Sequence, residues 1–148
     1  MKAHDVTRPV ILLLLLTACR PGGGETESSA TVAQEQPSAA ERVIRRQYEA
    51  YNRRDLEAFV AAHAPNVRFY RYPDSLAFQG RDAIRERFGK MFTSSPQLHA
   101  TVEARMTQGD IVVWKETATG LPGGRSNTAI FVWEVKNDLI TKVMMVVP

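Results

Sequence analysis

The sequence predicts an α+β fold, on three observations. Apolar residues recur at helical spacing between Val43 and Phe92, the periodicity then changes to two between Leu98 and Val147, and turn-forming runs divide that second half into four strands. Helices followed by an antiparallel meander pack as a layer on one face of a sheet.

The first helix opens at Ser38, an N-cap candidate with Glu41 three residues on, the spacing of a capping box. Val43, Ile44, Tyr48 and Tyr51 form its apolar stripe, and Arg42, Arg45, Arg46 and Glu49 lie around it. Asn52-Arg53-Arg54-Asp55 interrupts the pattern. Asp55 then caps a second short helix carrying Leu56, Phe59, Val60 and His63, which Pro65-Asn66 ends. Val67 to Tyr72 alternates as a short strand and Pro73-Asp74-Ser75 stops it. A third helix, from about Arg81 to Phe92, places Ile84, Phe88, Met91 and Phe92 on one face, with Gly80 in the preceding loop.

In the first long strand Leu98, Ala100, Val102, Ala104 and Met106 alternate with His99, Thr101, Glu103, Arg105 and Thr107. Gly109-Asp110 turns the chain into a second strand, Ile111 to Thr119. Leu121-Pro122-Gly123-Gly124 suits a turn, because proline fixes φ and glycine accepts positive φ. Arg125 to Val135 and Leu139 to Val147 complete the meander around Lys136-Asn137-Asp138.

Residues 1–38 read differently. Lys2 and Arg8 precede seven apolar residues, Val10 to Leu16. A spanning helix needs roughly 20, so the run predicts a signal peptide. Leu16-Thr17-Ala18-Cys19 resembles the bacterial lipobox, which implies removal of residues 1–18 and a lipid on the Cys19 thiol. Residues 19–38 hold one large aliphatic side chain, Val32, and form a tether. Residues 39–148 are then the single folded domain. Arg20 stands where an Asp would mark inner-membrane retention, so an extracytoplasmic lipoprotein is expected, at the outer membrane if the cell has one. The formal charge of +3 does not point to nucleic acid. The Arg-rich first helix is either a solvated face or a contact for anionic lipid headgroups.

The stretches Tyr48-Glu-Ala-Tyr-Asn-Arg-Arg-Asp-Leu-Glu-Ala-Phe, Gln79-Gly-Arg-Asp-Ala-Ile-Arg and Ala129-Ile-Phe-Val-Trp-Glu-Val-Lys-Asn-Asp-Leu-Ile resemble the nuclear transport factor 2-like superfamily. The resemblance is to its SnoaL-like and ketosteroid-isomerase-like branch. It implies a cone-shaped, curved antiparallel sheet wrapped around three N-terminal helices, an apolar cavity at the wide end, and in many members a homodimer through the outer sheet face. Ile130, Val132 and Met144 are candidates for that face, and on them rests a second alternative, a dimeric protein-interaction module. Fold alone does not give function. In the isomerases a tyrosine, a carboxylate base and a second acid act together. The resemblance puts Gln47, Arg71 and Phe131 at those three positions, so all three roles are vacant.

Alternation and the resemblance together direct Phe69, Arg71, Phe88, Phe92, Trp114, Phe131, Trp133 and Met145 towards a cavity for a small apolar or amphipathic ligand. Arg71 needs a partner there: Glu116, Asp74 or an acidic ligand. Acid–base catalysis of isomerase, cyclase or dehydratase type is the alternative, with Glu116, Asp74 and Tyr48 as candidate groups, and His99 and Glu103 as further ones. Glu116 shares a strand face with Trp114 and Val112, so it is either a carboxylate of raised pKa or a solvated sheet residue. His63 and His99 lack metal-ligand spacing, and no phosphate loop or nucleophile elbow is present, so neither metal nor cofactor is expected.

Overall fold

The computed structural model describes residues 36–148. The expected signal peptide, Cys19 and nearly all of the expected tether lie outside them.

Ser38 caps α1 (Ala39–Arg53), its hydroxyl accepting from the Glu41 N–H at 3.0 Å. Arg54, in the left-handed conformation, closes α1, and Asp55 caps α2 (Leu56–Ala61) by accepting from Ala58 N–H. The strands and third helix follow as β1 (His63–Arg71), β2 (Ser75–Gln79), α3 (Arg81–Ser94), β3 (His99–Gln108), β4 (Ile111–Leu121), β5 (Arg125–Lys136) and β6 (Leu139–Val146). A single 3-10 turn at Pro122–Gly124 joins β4 to β5. The six strands form one curved, unclosed sheet in the order β2-β1-β6-β5-β4-β3. Val43, Ile44, Phe59, Ile84, Val112, Ile140 and Val143 are buried between its inner face and the helices.

Four differences from the sequence reading have physical causes. His63 begins β1 and is fully buried, instead of extending α2. Its Nδ1–H donates to the Phe59 carbonyl at 2.8 Å, taking the place of a next-turn N–H and ending the helix. β2, read as turn and loop, is an edge strand with almost every residue exposed, formed because β1 pairs with it from Arg68 to Arg71. The sheet is antiparallel at four of its five seams, whereas β1 and β6 run parallel, Phe69 opposite Val143 and Arg71 opposite Met145. The fourth difference is a β-bulge between Val102 and Ala104, which turns the rest of β3 over. Ala104 and Met106 therefore face outward, Met106 being 65% exposed, and Arg105 comes round to the helix side, 3.8 Å from Glu41.

Gly120 permits the tight return of β4 past the α3–β3 loop. Its φ is +68°, and a Cβ there would stand 2.1 Å from the Gln97 carbonyl oxygen.

Candidate functional site

Alternation on the strands and helical spacing on α1 bring one set of side chains to a common space. On β4, Glu116 and Ala118 point inward with Trp114; on β5 and β6, Phe131, Trp133, Val143 and Met145 do; on β1, Phe69 and Arg71. From α1, Gln47 and Tyr51 stand one turn apart on the face turned to β4. α3 contributes Phe88 and Met91. Together they enclose a cavity of about 240 Å³, a little below the roughly 300 Å³ at which drug-sized pockets begin, so it suits a small ligand.

Nearly half of the residues lining the wall are aromatic. Phe59 and Phe88 approach to 4.4 Å between ring centroids, Phe131 stacks on Trp133 at 5.4 Å, and Tyr51 meets Phe88 edge-on. One carboxylate interrupts it. Burial pushes the Glu116 pKa up to about 7. Tyr51 is pushed up to about 12, first by burial and then by the Glu116 charge, so its phenol stays protonated. Gln47 is buried, and no hydrogen bond holds its amide or the Glu116 carboxylate among the described residues.

The side chains expected in the cavity divide into two groups. Phe69, Arg71, Phe88, Phe131, Trp133 and Met145 line it. Phe92 and Trp114 do not: they belong to the core behind the wall, 7% and 2% exposed. Trp114 is overlaid by Tyr48, whose ring meets it edge-on at 5.7 Å, and its indole N–H has no partner. Arg71 is exposed at the mouth and pairs with neither Glu116 nor Asp74.

Of the three candidate acid–base groups, Glu116 alone is an ionisable group free inside the cavity. Asp74 is exposed in the β1–β2 turn and is not part of the wall, because the turn carries it past the sheet edge. Tyr48 lines the cavity, but its hydroxyl donates to the Ala100 carbonyl at 2.7 Å. Glu103 sits in the bulge, held outside by Lys115 at 2.6 Å and by Thr117, and His99 is exposed. Sequence reasoning missed Tyr51 as a site residue and saw Gln47 only as a vacancy. Their spacing of four was the available signal. The three positions matched to the isomerase triad, Gln47, Arg71 and Phe131, all reach the cavity wall. Among the described residues no cluster of three metal-ligating side chains occurs, and no helix is long and apolar enough to cross a membrane.

Comparison with solved structures places this fold among known ones. A cystatin-fold protein from Novosphingobium aromaticivorans superposes with a TM-score of 0.66 at 19% identity, over 73% of this chain and 97% of its own. TerC, co-crystallized with polyporic acid, gives 0.63 at 18% identity, over 75% and 92%. A putative ketosteroid isomerase from Kribbella flavida gives 0.61 at 22% identity, over 74% and 78%. No curated protein matches the chain. The SnoaL-like domain family matches residues 44–143, from α1 to the middle of β6, and the chain belongs to that family.

Proposed function

We propose that the protein is a lipid-anchored, extracytoplasmic SnoaL-like domain that binds a small apolar or amphipathic molecule in its cavity. The observation that carries the binding reading is the cavity itself: a largely apolar space with a single inward carboxylate, where a core would otherwise be filled. The similarity to TerC, a protein co-crystallized with polyporic acid, is in keeping with a small-molecule ligand. The anchor rests on Leu16-Thr17-Ala18-Cys19.

Native mass spectrometry of the full-length chain from its own host tests the binding reading. A copurified small molecule is expected, and Met145→Trp, which fills the cavity, should exclude it. Retention of the same molecule by Met145→Trp would place it elsewhere. For the anchor, Cys19→Ser should abolish incorporation of labelled fatty acid and release the protein from the membrane fraction.

A second reading has its own observation. A carboxylate with a pKa near 7 in an apolar wall is poised to accept and return a proton, as an isomerase, cyclase or dehydratase requires. Conversion of the copurified molecule by the wild type, lost in Glu116→Gln, would establish it.

A further inference from the structure

We propose that the cavity selects an organic cation, an ammonium group seated against Glu116 with its apolar remainder among the aromatic side chains. This rests on the cavity being a ligand site.

The glutamates of the domain differ in their partners. The described residues contain seven, and six of them hold a Lys or Arg within 4.0 Å: Glu41, Glu49, Glu57, Glu86, Glu103 and Glu134. Those six are at or near the surface. Glu116, the one turned inward, has no such cation. A buried carboxylate without a counter-charge is costly, and a ligand cation supplies the missing partner.

The wall also favours a cation. Tyr51, Phe59, Phe69, Phe88, Phe131 and Trp133 line it, and an ammonium over an aromatic face is attracted by the ring quadrupole, most strongly where water is excluded. Neither feature favours an anion, which would meet Glu116. Arg71 does not reverse the balance, because it is exposed at the mouth, where solvent screens its charge.

Glu116 faces few groups that compete with a ligand. α1 presents Gln47, Tyr48, whose hydroxyl is spent on the Ala100 carbonyl, and the neutral Tyr51, whose phenol stays protonated. β3 opposes it with Val102 and β5 with Ala129. α2, α3, β2 and β6 bring only apolar side chains to the cavity, and β1 brings Arg71 as its single charge. The cation requires the ionised carboxylate. Its affinity must therefore rise with pH through about 7, whereas that of an anion or a hydrogen-bond acceptor must fall.

Three probes of similar shape separate the cases: benzyltrimethylammonium, its uncharged isostere neopentylbenzene, and benzylsulfonate. None of them titrates, so the pH dependence belongs to the protein. Titrating the full-length chain, we expect benzyltrimethylammonium to bind about tenfold or more tightly than either of the others at pH 8. Its affinity should fall by about tenfold or more on going to pH 5.5. Glu116→Gln should remove both the preference and the pH dependence while neopentylbenzene still binds. If that variant does not fold, the wild-type pH series decides alone. Equal or tighter binding of neopentylbenzene or benzylsulfonate to the wild type would overturn the cation inference and leave the cavity a ligand site. Binding of none of the three would overturn the inference together with the reading it rests on.

Discussion

Asn52 and Ala100 hydrogen-bond in both directions: the Ala100 N–H donates to the Asn52 side-chain oxygen at 2.7 Å, and the Asn52 amide donates to the Ala100 carbonyl at 3.1 Å. Ala100 lies on β3, the outermost strand on that side of the sheet, so the side chain of a helix substitutes for an absent neighbouring strand. Tyr48 donates to the same carbonyl, and Arg54 to that of Leu98 at 2.9 Å. The end of α1 thus covers the start of an edge that would otherwise be open to pairing. Asn52→Ala leaves the buried Ala100 N–H without a partner and should cost about 2 kcal/mol, read by urea denaturation. Tyr48→Phe, which leaves Asn52 on the carbonyl, should cost about 1 kcal/mol.

His63 should make the fold acid-sensitive. Burial, partly offset by its bond to Phe59 and reinforced by the Arg81 charge, lowers its pKa from 6.5 to about 4. The unfolded chain therefore takes up a proton that the folded chain refuses, and the stability contributed by neutral His63 is lost as pH falls from about 6.5 towards 4. The loss should reach roughly 3 kcal/mol. His63→Phe removes this titration, and denaturation midpoints measured from pH 7 to pH 4 should flatten correspondingly.

Glu116 acts in the opposite window. Its folded pKa lies above the unfolded value of 4.5, so the folded chain binds the extra proton and stability falls as pH rises from about 4.5 to about 7. Glu116→Gln should be near neutral at pH 4.5 and stabilising by up to about 3 kcal/mol at pH 8, in the absence of ligand. Unchanged stability at pH 8 would show that water, not the apolar wall, surrounds the carboxylate.

On the outer face Met106, Val113, Val132, Met144, Tyr70 and Leu76 stand in register across all six strands, one from each. Such a row is suited to a second sheet, and a homodimer through it should be insensitive to salt. Val132→Glu, at the middle of the row, should give a monomer by sedimentation equilibrium. A wild type that remains monomeric at high concentration would assign the row no such role.

The helices and long strands were legible because each has one apolar face, and a face leaves a period in the sequence. β2 was not, since its exposed residues carry no such period and only pairing with β1 makes them a strand. The bulge at Glu103 was equally silent: Val102 to Met106 alternates apolar and charged whether or not the strand turns over. In the cavity, Glu116 could be placed inward from its spacing to Trp114, but which of Trp114 and Trp133 reaches the space depends on where Tyr48 lies. The spacing of four put Gln47 and Tyr51 on one face of α1, but that this face turns to the cavity is set by the rotation of α1 against β4, which the spacing does not record.

The parallel seam between β1 and β6 also governs the order in which the domain can assemble. Phe69 and Val143, opposite each other across it, lie half the length of the chain apart. Closing so long a loop is slow, and β6 is an inner strand that must pair on both sides. Until it arrives, β2-β1 and β5-β4-β3 are two fragments with bare edges facing each other. The folding chain is thus most exposed to aggregation before β6 pairs, and a truncation after Lys136 would fix it in that state.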